Sequence, residues 1–268
     1  MGLHTEVRGT GPTLLLIPGG NGDAGFYAPL TKALADTFTV IAYDRRGFSR
    51  SRFGGDVDDD RRLATDGDDA RRLIDSMSDP PAFVFGSSSG AIVALDLLIR
   101  YPDHVRTLVA HEPPIVTLLP DGDWYLELFD EVYHTYRRRG TGPAIRKFAA
   151  VAGVGPPRMG EKEFWRMLKL MPRIRRNMKF WLEHELRQYP RYRPDIHALQ
   201  TVSSQLVLAG GQDSREFFPY RCNTMLADLL GTRVIDMAGG HAGYRTHTTE
   251  FAQHLMRILH DAARGYVR

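Results

Sequence analysis

The sequence predicts an α/β fold in which a mostly parallel sheet of about seven strands is wrapped by helices and interrupted once by a helical insertion. Short unbroken apolar runs, such as TLLLI at 13–17 and FTVIAY at 38–43, alternate with segments of helical spacing. That is the pattern of strands covered on both faces. A tight turn, Gly86-Ser87-Ser88-Ser89-Gly90, joins an apolar strand to an apolar helix. From Trp124 to about Tyr192 the period is helical, with no convincing buried strand. The chain thus divides into a core of residues 1–114 and 201–268 and a helical cap at 115–200.

Leu3 to Arg8 alternates weakly and is followed by the turn Gly9-Thr10-Gly11-Pro12, which suggests an edge hairpin leading into the strand at Thr13 to Ile17. The loop Pro18-Gly19-Gly20-Asn21-Gly22 then lies at the carboxyl end of that strand, where glycines expose backbone N–H groups above the sheet. It has neither spacing of a phosphate-binding loop. Phe26 to Asp36 reads as a helix and Phe38 to Tyr43 as a strand with the exit loop Asp44-Arg45-Arg46-Gly47-Phe48-Ser49. Arg61 to Met77 reads as a helix with Leu63, Ala70, Leu73, Ile74 and Met77 inward.

The segment PAFVFGSSSGAIVALDLLIR at 81–100 is strand, turn and helix in succession. Small residues at 86 and 90 let strand and helix approach closely while Ser88 is held strained with its hydroxyl exposed. Ser88 is therefore a candidate nucleophile, and the Ser89 amide at the helix start is a candidate oxyanion donor. Val105 to Ala110 is the next strand, ending in His111-Glu112-Pro113-Pro114. Glu112 there sits at the chemically active edge of a parallel sheet, in a loop stiffened by prolines, where a surface role is equally open on local sequence.

In the cap, WYLELFDEVYHTYRRR, PAIRKFAAVA, EKEFWRMLKLM and RNMKFWLEHELRQY read as successive helices. Their aromatic and Met content serves packing between helices and could line an apolar pocket. After the cap come a strand at Gln205 to Ala209 with Gly210-Gly211-Gln212-Asp213 behind it, a helix from Tyr220 to Leu230 and a strand at Arg233 to Met237. The loop Gly239-Gly240-His241-Ala242-Gly243-Tyr244 then leads to a last helix from Thr248 to about Ala263. His241 is a candidate base because its loop can arch over the sheet toward Ser88.

Composition excludes several classes. The net charge is +3, with nine Asp against four Arg over 56–79 and 16 Lys and Arg against ten Asp and Glu over 121–200. In the basic segment arginines are interleaved with acids and apolar residues, which reads as a solvated helical face rather than a nucleic-acid surface. No apolar run is long enough to span a membrane, and the amino terminus has no apolar leader. With one cysteine, Cys222, and no disulfide possible within the chain, a cytoplasmic location is expected. No H-E-x-x-H or Cys/His cluster suggests a metal site.

The residues IPGGNG at 17–22, YDRRGFSRS at 43–51, GSSSG at 86–90, AGGQD at 209–213 and GGHAGY at 239–244 occur in the order found in the α/β-hydrolase superfamily, which the chain resembles over nearly its whole length. Within it the detail is similar to the zearalenone-lactonase group: a P-x-G-x-G loop, a G-x-S-S-G turn, Tyr101-Pro102-Asp103 after the helix, an H-E-x-P turn, and His241, Tyr244 and His247 in an H-x-x-Y-x-x-H segment. The resemblance implies an esterase or lactonase with Ser88 as nucleophile, His241 as base, and Gly20 and Ser89 as oxyanion donors. Most of the superfamily carries its triad acid at the position of Asp213, whereas the lactonases carry it at Glu112; this chain has both, and the spacing of 24 residues from Ser88 to Glu112 agrees with the lactonase pattern, so the resemblance implies Glu112 as the acid with Asp213 as the alternative. Trp181, Tyr244 and Asn21 are candidate contacts for a small apolar or aromatic ester or lactone, with no metal or organic cofactor. Perhydrolysis and acyl transfer use the same groups. A non-catalytic ligand-binding protein is the alternative of another class, against which the intact Ser88 and His241 argue.

Overall fold

The computed structural model describes residues 2–52, 55–77, 80–154 and 161–263, with 161–169 and 263 as backbone only. Its strands are β1 (Thr5–Arg8), β2 (Thr13–Ile17), β3 (Thr39–Tyr43), β4 (Ala82–Ser87), β5 (Val105–His111), β6 (Leu206–Gly211) and β7 (Val234–Met237). They form one seven-stranded sheet in the order β1-β3-β2-β4-β5-β6-β7. All neighbours are parallel except β1, which pairs antiparallel with β3. The helices are α1 (Ala28–Leu34), α2 (Arg62–Met77), α3 (Ser89–Arg100), α4 (Gly122–Arg139), α5 (Thr141–Ala152), α6 (Glu161–His184), α7 (Ile196–Thr201), α8 (Phe218–Leu230), α9 (Gly243–Thr246) and α10 (Thr248–Ala263).

Alternate residues of each strand sort to opposite faces, as the pleat requires. Leu15, Ile17, Ile41, Tyr43, Val84, Leu108 and Leu208 pack with α2, α3 and α8. Leu14, Leu16, Val40, Ala42, Phe85, Val109 and Ala209 pack with α1 and α10. This double burial is why the strands read as unbroken apolar runs. A third cluster joins α4, α5 and α6 through Phe129, Val132, Ala144 and Trp181 to Phe48 and Phe218. No strand lies between β5 and β6 among the described residues.

Three local expectations change. The segment 3–17 is no hairpin, because β1 crosses to the outer edge of β3. Gly9 and Gly11, at φ +87° and +119°, lie so close to the carbonyls of Ala35 and Thr37 that a Cβ at either would collide. The turn thus runs over the end of α1 instead of folding back on β2. Met77 is 41% exposed rather than inward, since it is the last residue of α2. EKEFWRMLKLM and the first nine residues of RNMKFWLEHELRQY form one helix, α6, which continues through Pro172 and ends at His184, with Glu185 to Gln188 following as a turn. The side chains of the first nine residues of α6 lie outside the described residues. No helix among the described residues is long and apolar enough to cross a membrane.

The strand order reverses about β2: the chain moves from β2 to β3 on one side and returns to β4 on the other. Open α/β sheets place ligands outside the carboxyl ends of the strands at such a switch point.

Candidate active site

The carboxyl ends of the six parallel strands, β2 to β7, lie along that edge. Ser88 follows β4 with φ +57° and ψ −131°, while its N–H donates to His111 O at 2.9 Å. A non-glycine residue there is strained by about 1–3 kcal/mol. The small neighbours make it possible: a Cβ on Gly86 would meet Gly90 O at 2.5 Å, and one on Gly90 would meet Ile17 O at 2.3 Å. α3 therefore starts directly beneath the serine. Ser89 is its first residue, so its N–H belongs to the first turn, whose amides have no intrahelical acceptor.

Glu112 follows β5 and is also left-handed, at φ +50°. Its N–H donates to Ala209 O at 3.0 Å, extending the pairing with β6. The carboxylate is buried and fully engaged: Oε1 accepts from Gly211 N–H at 2.7 Å and from the Ser214 hydroxyl, and Oε2 lies 2.5 Å from His241 Nδ1. Burial would raise this carboxyl, but the His241 charge and hydrogen bond, with lesser help from His111 and Ser214, bring it down to about 2. Glu112 is thus a fixed anion, orienting a His241 ring whose side chain stays 13% exposed.

Asp213 stands apart. It is exposed, on the 3-10 turn after β6, and its backbone N–H donates to Gly239 O at 3.1 Å. Its backbone thereby fixes the glycine turn that presents His241. Of the two acids left open by the sequence, Glu112 is the one in contact with the histidine.

Gly19 and Gly20 are packed against Ser88 and against Trp181 of α6. A Cβ on Gly19 would lie 3.0 Å from Ser88 Cβ, and one on Gly20 would lie 2.7 Å from Trp181 Nε1. Trp181, Phe129, Phe148, Leu186 and Phe218 line a cavity over Ser88 and Ser89 of about 20 Å³. That volume holds roughly one water. Glu185 lies in the same lining.

Two expected contacts lie elsewhere. Tyr244 does not line this cavity; its ring packs on Tyr27 at 4.9 Å and Phe251 at 6.1 Å, in the α1/α10 layer. Position 244 falls inside the one-turn helix α9, which directs the side chain down toward the sheet rather than across its edge. Asn21 accepts at its backbone O (2.9 Å) and at Oδ1 (3.1 Å) from Asn177 Nδ2. It ties the loop to α6.

The sequence reading missed three groups. Arg45 is fully buried and donates to Asp66 and Glu185. Glu185, just beyond the end of α6, also accepts from Arg62 Nη2 at 3.1 Å. His111, buried beneath Ser87 and His241, pairs Nδ1 with Ser87 Oγ at 3.3 Å, and burial, against the pull of Glu112, lowers it to about 4. Only an unusual charged residue at a strand exit hinted at Arg45; its partner lies 140 residues away in sequence. Cys222 is buried and its thiol pushed up by burial, which leaves it unreactive.

Comparison with known proteins matches residues 12–244 to a family described as the alpha/beta hydrolase fold. A Bacillus subtilis (strain 168) protein named as the uncharacterized hydrolase YraK is 35% identical over 261 residues, 96% of this chain and 92% of that protein. The zearalenone hydrolase of Bionectria ochroleuca is 25% identical over 262 residues, 94% of this chain and 92% of that enzyme. Among solved structures, a thermophilic esterase from Thermogutta terrifontis superposes with a TM-score of 0.73 at 20% identity, covering 97% of this chain and 94% of its own.

Proposed function

The chain belongs to the α/β-hydrolase family, and we propose that within it the protein is a serine hydrolase of carboxylic esters or lactones, with Ser88, His241 and Glu112 as the triad. The observation that carries this reading is the 2.5 Å contact between a buried, anionic Glu112 and His241 at the sheet edge where strained Ser88 is presented. In this reading His241 Nε2 takes the Ser88 proton as Oγ attacks the carbonyl. Glu112 holds the Nδ1–H tautomer and stabilises the imidazolium. The tetrahedral oxyanion is received by the amides of Gly20 and Ser89, each donor of this type being worth about 3 kcal/mol. His241 then returns its proton to the leaving alcohol, and water activated by the same ring releases the acid.

The aromatic lining favours an apolar or aromatic acyl group, and the relative acting on zearalenone makes an aromatic macrolactone the first substrate to try. A fluorophosphonate probe should label the native protein and not S88A. Hydrolysis of p-nitrophenyl esters of increasing chain length beside aromatic macrolactones should then rank the substrates. An unlabelled native protein would remove the serine-hydrolase reading, and turnover of short esters alone would remove the lactone.

A further inference from the structure

α6 lays one stripe of residues, spaced i, i+4, along the oxyanion loop. Arg173 Nε lies 2.7 Å from Asp23 Oδ2, Asn177 Nδ2 donates to Asn21, and Trp181 covers Gly20. Glu185 comes next, in the turn that continues the helix, its N–H donating to Trp181 O at 2.9 Å. Its carboxylate grips Arg45 in two places, Oε1 to Nη1 at 3.0 Å and Oε2 to Nη2 at 2.7 Å. The same Nη2 donates to Gly19 O at 3.0 Å and lies 3.5 Å from Ser89 Oγ. Gly19 O accepts a second bond from Gly22 N–H at 2.8 Å.

Gly19 C=O and Gly20 N–H belong to one planar trans peptide, so they point in opposite directions. Fixing the carbonyl by two donors therefore fixes the aim of the amide. We propose that Glu185 and Arg45 are positioning residues for the oxyanion hole: the cap carboxylate holds the guanidinium, and the guanidinium orients the Gly19–Gly20 peptide toward the developing oxyanion. The inference rests on the serine-hydrolase reading for its catalytic meaning. Arg45 is well suited to this role because it is anchored on both sides, to Glu185 and to Asp66 Oδ2 at 2.7 Å, and Asp66 is held in turn by the Tyr189 hydroxyl at 2.8 Å. A guanidinium can bridge two carboxylates and a carbonyl at once, which an ammonium cannot do with the same geometry.

The test uses R45K and E185Q in the full chain, with E185D as a substitute should E185Q not fold. Thermal unfolding and circular dichroism establish that each variant is folded. With a p-nitrophenyl ester that the native enzyme turns over, kcat should fall about 10- to 100-fold while KM changes less than about threefold. Inhibition by a trifluoromethyl ketone, whose adduct with the serine carries an oxyanion, should weaken in proportion to kcat/KM. The double variant R45K/E185Q should be little worse than the poorer single one, because both act through one peptide. Hydrogen exchange of the 18–23 segment should accelerate in both variants while that of 86–92 stays unchanged. Unaltered kcat, a parallel rise in KM, or ketone affinity independent of the substitution would overturn the proposal. A native protein unreactive to fluorophosphonate would instead sink the hydrolase reading. In that case unaltered exchange at 18–23 would overturn the coupling, and faster exchange would support it.

Discussion

His241 Nδ1 and Glu112 Oε2 stand 2.5 Å apart although 129 residues separate them in sequence. Glu112 can reach the ring because its left-handed backbone turns the carboxylate off the end of β5 and over β6, where Gly211 N–H and the Ser214 hydroxyl hold the other oxygen. In Glu112→Gln the remaining carbonyl oxygen would stay on those donors and the amide NH2 would face His241. The ring would then carry its proton on the nitrogen meant for Ser88. An expected loss of about 10⁴ in kcat follows, as for an acid-to-amide change in other triads. Asp213→Asn, altering an exposed side chain, should stay within a few-fold of native; single-turnover and steady-state rates on one ester check both.

Gly20 leaves no room for a side chain. The methyl of Gly20→Ala would meet Trp181 Nε1 at 2.7 Å and Cδ1 at 2.9 Å, so either the indole or the loop must yield. Displacing the Gly20 amide should cost about 10²-fold or more in kcat. Gly20→Ala/Trp181→Ala removes the obstacle, and its loss should be smaller than the product of the two single losses, measurable as a double-mutant cycle.

Trp181 and Tyr244 should separate cleanly. Trp181→Ala enlarges the cavity over Ser88, so rates should shift toward longer or bulkier acyl groups, several-fold in the ratio of kcat/KM for a long against a short p-nitrophenyl ester. Tyr244→Phe removes the hydroxyl of a partly buried side chain in the α1/α10 layer, where desolvation pushes the phenol up and Ser87 is a neighbour. It should cost about 1 kcal/mol of stability in urea unfolding and leave KM unchanged.

Acid stability should report His111. Unfolded, a histidine protonates below about 6.5; folded, this one resists until about 4. Between those values the unfolded chain binds the extra proton, so acidification favours unfolding, and stability is lost as pH falls from 6.5. Glu112 has the opposite kind of shift: its depressed carboxyl stabilises above about 4.5, and that contribution is lost only as pH falls toward 2. The windows barely overlap. His111→Asn should therefore lose less stability than native between pH 6.5 and 4.5, by roughly 2 to 3 kcal/mol at the lower end, in urea titrations at each pH.

The sequence by itself determined the α/β class and the seven strands, and it singled out Ser88, His241 and the glycine loop as candidates, because these are written in local patterns. An apolar run of five residues, a G-x-S-x-G between strand and helix, and a histidine after paired glycines are each complete within a few neighbours. Glu112 and Asp213 each met the local requirement of an acid beyond a strand, so nothing nearby could rank them. The tertiary structure ranks them through one distance, set by how β5 and β6 are stacked and by a positive φ at Glu112. It also takes Tyr244 out of the cavity and brings Glu185 to Arg45, since which face a loop residue presents, and which of many buried charges meet, depends on packing between elements far apart in the chain. Burial makes that choice strict: a carboxylate such as Glu185, 1% exposed, folds only where its partner is waiting.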